Sequence, residues 1–397
     1  MRRAEAAIPR LARHVLLLVL ALGVSSLAYA QAPTRLVTGT LGGADYWIQK
    51  PAGWAGGGLV VYAHGYEGEG PGPGRVQAPV IGGHFERRGI AWAATGYRSR
   101  GYRPDWFLDD VLALHDHFVK THGKPKWTII HGQSMGGHVA VAALELHPAR
   151  FQAGFIECGV IDGIGLIDWL YAYTAAAEYF SGVSLLATPR PAFDRLATFD
   201  IEDKLGRPGA FTPAGRLFDS VVKHLAGGAL PFRTAGMAER WIGNLLPRDP
   251  GPARAREFAR HADTRHVRYD IDSDLGVDVG RLNTDIKRVV PGPGARSREA
   301  NPVFAPFTGR IAVPLMTVHE TGDFRVPFRL QQDYRRRTVP AGTSHLLVQR
   351  AQRKSGHCGF TGTIRERAFD DLATWLERGV VPKGDDVLGD VDRLGRQ

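Results

Sequence analysis

The sequence predicts an α/β fold in which a mostly parallel central sheet is flanked by helices. Three observations indicate this class. Short apolar runs, typical of buried strands, alternate with segments whose apolar residues recur at helical spacing. The runs are continuous rather than alternating, as in parallel strands that helices cover on both faces. The alternation stops near residue 162 and resumes near residue 309, which predicts a large, mainly helical insertion.

The first part of the predicted core spans residues 36–161. It opens with a hairpin, in which a Gly-Gly pair joins two short strands at 35–41 and 46–49. Buried strands and amphipathic helices then alternate along the chain. We expect strands at 58–63, 90–94, 127–131 and 151–159, and helices at 78–88, 105–122 and 138–146.

The second part of the predicted core spans residues 309–380, where the strand pattern returns. It contains strands at 311–318 and 345–349 and helices at 328–337 and 364–378. Residues 162–308 hold helix-like pieces and segments rich in Pro and Gly, without a clear buried strand. We expect this insertion to fold over the core as a lid, and the charged residues 381–397 to form a loose C-terminal tail.

Residues 1–30 have the pattern of a secretory signal peptide. Four arginines lie among the first 13 residues, and an apolar run follows at 15–22. Ala28-Tyr29-Ala30 then forms a small-x-small cleavage site. The run is shorter than the ~20 residues that span a bilayer, so a stable membrane anchor is not expected. The sequence thus predicts a secreted or periplasmic protein and leaves the export route open.

Composition argues against a nucleic-acid partner. The formal net charge is +10, and it falls to +7 when residues 1–30, with four arginines and one glutamate, are removed. Lysines and arginines are interleaved with acidic residues and form no basic stripe. With 44% hydrophobic residues, the chain can bury a sizeable core.

Ser134 is the candidate nucleophile. It is the serine of a G-x-S-x-G pattern at residues 132–136, between the predicted strand 127–131 and an Ala-rich helix. Glycines on both sides permit a tight turn that lifts the hydroxyl clear of the sheet. So short a motif also recurs by chance or as a simple glycine-rich turn, and its weight depends on the rest of the chain.

A serine nucleophile needs a base within hydrogen-bond reach and a third group that orients the base. Asp323 lies at the carboxyl end of the strand that resumes the core, and His357 lies in a glycine-bordered loop before the last helix. The order Ser, Asp, His is the one expected for this type of sheet. The alternatives that remain open are Glu320 and Asp162 for the acid and His345 for the base.

The tetrahedral intermediate requires backbone N–H donors for its oxyanion. One donor is expected from Met135, which directly follows the nucleophile, and the other from the loop after the third strand. That loop begins His64-Gly65-Tyr66, and Gly65 allows a close approach to substrate. We therefore assign the second donor to the N–H of Tyr66.

In this ordered set of motifs the chain resembles the α/β-hydrolase family, in its secreted esterase and polyester-hydrolase-like branches. The resemblance rests on residues 64–66, 132–137, 322–327 and 356–357. It implies an α/β-hydrolase fold, a Ser-His-Asp triad without cofactor or metal, and a small-molecule or polymeric ester substrate. The pairing of Tyr66 with Met135 is similar to the oxyanion hole of cutinase-like enzymes. Those compact enzymes lack the long insertion, so their substrate is not carried over.

The chain contains two cysteines, Cys158 and Cys358. An even number in an oxidising compartment permits one disulfide, and two buried free thiols are the alternative. Cys358 follows the predicted base and Cys158 ends the strand next to that of the nucleophile, so a bridge would hold the histidine loop against the sheet. This arrangement resembles that of secreted tannase- and feruloyl-esterase-like hydrolases, in which a disulfide links the neighbourhoods of the serine and the histidine. In those enzymes the cysteine adjoins the serine, where this chain has Gln133.

The insertion offers two further patterns. Its aromatic residues either line an apolar acyl pocket or form the insertion's own core; they are Trp169, Tyr171, Tyr173, Tyr179 and Phe180. Asp270, Asp272 and Asp274 alternate like calcium ligands. The glycine falls one position late and Arg281 replaces the closing carboxylate, so no metal is expected.

Together these features predict a secreted serine hydrolase that cleaves carboxylic esters through an acyl-enzyme. An amidase or peptidase with the same triad is the first alternative, since it shares the acyl-enzyme chemistry. A non-catalytic binding protein on the same fold is the second. The sequence leaves open the natural substrate, the acyl chain length and the oligomeric state.

Overall fold

An eight-stranded sheet organises the computed structural model, which describes residues 35–190, 192–249 and 256–396, except the side chains of 256 and 257. The predicted signal peptide lies outside the described residues. The described strands are β1 (Arg35–Leu41), β2 (Ala44–Lys50), β3 (Gly58–Ala63), β4 (Ala91–Thr95), β5 (Trp127–Gln133), β6 (Ala153–Glu157), β7 (Gly206–Arg207), β8 (Ala210–Phe211), β9 (Leu315–Gly322) and β10 (Leu347–Ser355). The two-residue strands β7 and β8 pair only with each other within this part of the chain.

The described helices surround this sheet. They are α1 (Gly82–Arg87), α2 (Pro104–His122), α3 (Met135–Leu146), α4 (Gly165–Ser181), α5 (Ala192–Arg195), α6 (Ile201–Leu205), α7 (Pro213–Ala226), α8 (Arg233–Arg240), α9 (Arg256–His261), α10 (Val279–Asp285), α11 (Arg329–Ala341) and α12 (Gly362–Arg378). A π-helical stretch, Leu196–Asp200, joins α5 to α6.

The strand order is β1-β2-β4-β3-β5-β6-β9-β10. β2 is antiparallel to both β1 and β4, and the other pairs are parallel. Strands β3 to β6 are buried along almost their whole length because helices cover both faces. The predicted mostly parallel sheet with flanking helices is therefore confirmed.

Each face of the sheet has its own hydrophobic core. Successive residues of a strand point to opposite faces, and accordingly Val61 packs in one core with α2 and α3 while Val60 packs in the other with α1 and α12. The apolar stripe of α2 explains its place: Pro104 starts the helix, where a missing N–H costs little, and Gly123 ends it at φ 91°. The stripe is Phe107, Val111, Leu114 and Phe118.

The register brings the carboxyl ends of the parallel strands to one edge. Ala63 of β3 pairs with Gly132, and Gln133 pairs with Glu157 of β6. On the far side, Gly322 of β9 pairs with Ser355 of β10. The loops that follow β3, β5, β6, β9 and β10 therefore meet at this edge, which is where ligands bind in open α/β sheets.

Helices α4 to α10 lie between β6 and β9, where the sequence predicts the insertion. α4 is almost wholly buried and packs on α7. Trp169 and Tyr173 stack at 5.4 Å, and both rings contact Phe324 edge-on. These two side chains are buried in a hydrophobic core that also contains residues of the sheet and of α2 and α3, so this core is shared with the sheet and is not the insertion's own.

The C-terminal segment differs from the predicted loose tail. Asp385 accepts hydrogen bonds from the N–H groups of Ala351 (2.8 Å) and Gly395 (2.8 Å), and its own N–H donates to Gln349 O (2.7 Å). Val387 and Leu394 are buried in a small cluster beside β10. The segment thus covers β10, the outermost strand on that side of the sheet. Its charged composition does not indicate this role. No described helix is long and apolar enough to cross a membrane.

Candidate active site

Ser134 occupies the sharp turn between β5 and α3. Its φ of 54° and ψ of −119° are strained for a residue with a side chain. A Cβ at Gly136 would lie 1.9 Å from Ala63 O, and one at Gly132 would lie 2.4 Å from Gly136 O. Only glycines therefore fit on the two sides of Ser134. The turn is held by bonds from Ser134 N–H to Glu157 O (3.1 Å) and from Val160 N–H to Ser134 O (3.0 Å).

Ser134, His357 and Asp323 form one hydrogen-bonded chain. Ser134 Oγ lies 2.8 Å from His357 Nε2, and His357 Nδ1 lies 2.6 Å from Asp323 Oδ2. Because an ionised carboxylate only accepts, Nδ1–H donates to Asp323 and Nε2 accepts from the serine hydroxyl. The buried Asp323 also accepts, through Oδ1, the N–H groups of Arg325 (2.9 Å) and Val326 (3.0 Å). The structure brings the three predicted residues together.

The rival residues have other partners. Glu320 is buried in β9 and accepts the N–H of Gly359 through Oε1 (2.6 Å), whereas Asp323 contacts the histidine. Asp162 forms an ion pair with Arg337 (2.8 Å). His345 lies in a short 3-10 turn at the amino end of β10, whereas Ser134 follows the carboxyl end of the parallel strand β5. Of these candidates, only Asp323 contacts His357 Nδ1 and only His357 contacts Ser134 Oγ among the hydrogen bonds of the described residues.

The buried carboxylates control the protonation of His357. Burial lowers the pKa of His357, but the charge of Asp323, its hydrogen bond and the charge of Glu320 together outweigh burial and raise that pKa above 6.5. Burial and then the charge of Asp323 raise the pKa of Glu320 to about 7. The site therefore holds two neighbouring groups, His357 and Glu320, whose pKa values are both raised.

Tyr66 and Met135 both lie beside Ser134. Met135 is the first residue of α3, where an N–H has no intrahelical acceptor. A Cβ at Gly65 would lie 3.1 Å from Ser134 Cβ, so the loop after β3 passes directly next to the serine. Tyr66 and Ser134 line one cavity, and the Tyr66 hydroxyl donates to Glu69 Oε1 (2.8 Å). Their service as oxyanion donors stays a prediction.

Cys158 and Cys358 form a disulfide that joins two segments 200 residues apart in sequence. The bridge ties the loop of His357 to the end of β6. Arg365 supports the same loop, because its Nη2 donates to Cys358 O (2.6 Å) while its Nη1 pairs with the buried Glu157. The sequence analysis did not single out Arg365 or Glu157.

Two candidate metal sites can be judged among the described residues. The three groups close enough together to hold an ion are those of Cys158, His357 and Cys358, but both sulfurs belong to the disulfide. In the insertion, Asp272 pairs with Lys223 and Asp270 with Arg268. These carboxylates serve ion pairs.

A cavity of about 340 Å³ opens beside the serine. One wall is core residues, and the other comes from α4 and from the segments around residues 240–246 and 258. Its lining includes the aliphatic and aromatic side chains of Tyr102, Val160, Leu166, Leu170, Leu246 and Phe258. Arg240, Asn244 and Arg325 add polar groups that the sequence analysis did not identify.

The comparisons with known proteins agree with this architecture. The Prolyl oligopeptidase family model matches residues 76–189, which include Ser134. The structure of an esterase from Aspergillus oryzae is similar at 13% identity with a TM-score of 0.51, covering 88% of this chain and 80% of that one. At this identity the similarity concerns the fold alone. No curated protein sequence matches the chain.

Two further structures are similar at lower TM-scores. Feruloyl esterase B from Aspergillus oryzae is 12% identical, with a TM-score of 0.49 and coverage of 88% of this chain and 81% of that one. Acylaminoacyl peptidase from Pyrococcus horikoshii is 14% identical, with a TM-score of 0.45. The match covers 91% of this chain but only 44% of that peptidase, so the chain spans less than half of its length.

Proposed function

We propose that this chain, which has the fold of the α/β hydrolases, is a serine hydrolase that cleaves carboxylic ester bonds through an acyl-enzyme. The single observation that carries the proposal is the hydrogen-bonded chain from Ser134 through His357 to Asp323. A serine so placed can lose its proton to the histidine as it attacks a carbonyl carbon.

The reaction has two symmetric halves. Ser134 Oγ bonds to the ester carbonyl carbon while His357 Nε2 takes the hydroxyl proton, and Asp323 stabilises the imidazolium. The N–H groups of Tyr66 and Met135 hold the oxyanion. Collapse breaks the bond to the alcohol oxygen, which receives the proton from His357. Water then repeats the sequence on the acyl-enzyme, releasing the acid and restoring the Ser134 hydroxyl.

The nucleophile is tested by labelling with a fluorophosphonate, which phosphonylates activated serines. We expect the wild-type protein to gain one adduct, located by mass spectrometry on the peptide that contains Ser134, and Ser134→Ala to gain none. Ser181→Ala, a serine in α4 outside the cavity lining, is the matched control and should label normally. An unlabelled wild type, or labelling that persists in Ser134→Ala, would contradict the proposal.

Esters are proposed over amides because the ordered motifs resemble those of secreted esterases. The Prolyl oligopeptidase family match at residues 76–189 is the observation that favours a peptidase or amidase. Aryl esters and anilides with the same acyl group decide between them. We expect kcat/KM to be higher for the esters by more than the intrinsic difference in reactivity, measured against hydroxide. Efficient cleavage of the anilides alone would establish the second candidate.

We also propose that residues 162–308 act as a cover that shapes substrate entry. The support is that several residues of this stretch line the cavity at Ser134, namely Leu166, Leu170, Arg240, Asn244, Leu246 and Phe258. Parts of the chain that are far apart in sequence thus contribute to one binding site.

Export to a secreted or periplasmic location completes the proposal. Its support is the signal-peptide pattern of residues 1–30 together with a disulfide, which persists in oxidising compartments. We expect the exported protein to begin at Gln31 when its N-terminus is sequenced. A cytoplasmic protein that retains residues 1–30 would refute this part without touching the chemistry.

A further inference from the structure

The cavity at Ser134 carries two arginines, Arg240 and Arg325, and no carboxylate among the described residues that line it. Much of the rest of the lining is apolar. The buried carboxylates Asp323 and Glu320 act on His357 but are not among the lining residues, so the charged groups that face the cavity are cationic, and water screens a charge poorly between low-dielectric walls. The cavity therefore favours a molecule that combines an apolar part with an anionic group.

Arg325 is positioned to meet that anionic group. Its backbone is fixed, because its N–H donates to Asp323 Oδ1 (2.9 Å). Its side chain is exposed at the cavity and makes no hydrogen bond or ion pair with any residue that the structure describes. Arg325 lines the same cavity as Ser134 and His357, and its charge lowers the pKa of His357. A guanidinium with free N–H groups thus lies close to the triad.

Arg240 approaches the same cavity from a distant part of the chain. A hydrogen bond from Asn244 Nδ2 to Phe324 O (2.6 Å) ties its segment to the one that carries Arg325. Gly243 makes room for the guanidinium of Arg240, because a Cβ there would lie 3.0 Å from its Cζ. Arg240 and Arg325 therefore line one cavity from two separate elements.

We propose that the substrate has a carboxylate on its leaving-group side, bound by Arg325. The inference rests on the proposed function. His357 must protonate the leaving oxygen, so the leaving group passes next to His357. Arg325 lines the same cavity and is two residues from Asp323, the carboxylate that holds His357. The substrate class is an acyl ester of a hydroxy carboxylic acid. Water cleaves the acyl–oxygen bond and gives one carboxylic acid and one free hydroxy acid.

A matched pair of substrates tests this assignment. 4-Carboxyphenyl butanoate has the anionic group, and 4-carbamoylphenyl butanoate replaces it with a neutral group of the same shape. We expect Arg325→Gln to lower the ratio of their kcat/KM values by about tenfold or more, measured in the pH-independent range of each enzyme. The intrinsic reactivities cancel when this ratio is compared between enzymes, and Arg325→Lys should retain part of the preference.

Arg378→Gln is the matched control. Arg378 is an exposed arginine at the end of α12, where the adjacent Glu377 accepts a hydrogen bond from Trp127 at the opposite end of β5 from Ser134. We expect it to leave the ratio unchanged. A ratio that Arg325→Gln does not alter would overturn the proposal.

Two measurements separate this inference from the proposed function. Cleavage of the neutral ester by the wild type, lost in Ser134→Ala, tests esterase activity whatever the ratio. Calorimetry on Ser134→Ala tests recognition without catalysis: 4-hydroxybenzoate should bind more tightly than 4-hydroxybenzamide, and Arg325→Gln should remove the difference. Equal binding of the two would overturn the inference. If 4-(butanoylamino)benzoate is cleaved instead, with the same dependence on Arg325, carboxylate recognition stands while the ester assignment fails.

Discussion

At the scale of single residues, Asp323 and Glu320 compete for one role and their contacts separate them. Asp323 Oδ2 contacts His357 Nδ1, whereas Glu320 Oε1 accepts the N–H of Gly359. We expect Asp323→Asn to lower kcat/KM about 10³- to 10⁴-fold, because an amide permits the wrong imidazole tautomer. Glu320→Gln keeps an acceptor for Gly359 and should cost less than about tenfold. Steady-state kinetics on one aryl ester compares them, and a larger loss in Glu320→Gln would reverse the assignment.

The charges around His357 predict the acid limb of the pH profile. Neutral His357 is the active form in the free enzyme, so kcat/KM falls as pH drops through its pKa. Glu320 raises that pKa and Arg325 lowers it. Glu320→Gln should therefore move the limb to lower pH and Arg325→Gln to higher pH, each by a few tenths of a unit to about one unit. Shifts in the same direction would show that the two charges do not act on His357 as inferred.

The sequence predicted the triad but not the groups around it, and the reason is physical. Ser134, Asp323 and His357 each lie at or after the carboxyl end of a parallel strand, and these ends meet on one side of the sheet. The buried pair of Arg365 and Glu157 has no motif, yet it leaves a weak signal: Arg365 stands on the same helical stripe as the buried Ala368, Phe369 and Leu372. Arg325 leaves none, since its position in the cavity depends on a segment 80 residues away.

At the scale of elements, the loop that carries His357 is held from three sides. The disulfide fixes Cys358, Arg365 Nη2 holds its carbonyl, and Glu320 holds the next N–H. We expect replacement of both cysteines by serine to lower the free energy of unfolding by about 2–4 kcal/mol, as measured by urea denaturation. Activity should fall as well, because the base loses part of its support.

Reduction provides the control for the disulfide. Dithiothreitol should reproduce the effect of the double substitution in the wild type and change nothing in the Cys158→Ser/Cys358→Ser protein. Unchanged stability and activity after complete reduction would show that Arg365 and Glu320 hold the loop without help from the bridge.

The elements themselves were predictable wherever local pattern decides them. The buried strands β3, β4 and β5 and the helix α2 fall within a few residues of their predicted bounds because their apolar patterns are continuous or periodic. The C-terminal segment was not predictable. Its composition is charged, and its order comes from pairing with an edge strand that lies nearby only in the folded chain, through Asp385.

At the scale of the whole molecule, the cavity is lined both by residues of the core and by residues of the insertion, so its size depends on how these two parts pack. Leu246 lines the cavity, and its N–H donates to Thr174 Oγ1 of α4 (3.0 Å), which fixes its position. We expect Leu246→Trp to fill part of the space. The ratio of kcat/KM for an octanoate ester to that for an acetate ester should then fall about tenfold.

This result depends on where the acyl chain lies. Leu388→Trp, at an exposed leucine of the C-terminal segment, is the matched control and should leave the ratio unaltered. If Leu246→Trp also leaves it unaltered, the acyl chain lies outside the cavity, and the apolar wall holds the leaving group instead. If both esters are cleaved equally slowly, the substitution has displaced the cover as a whole, because a filled acyl site penalises only the longer chain.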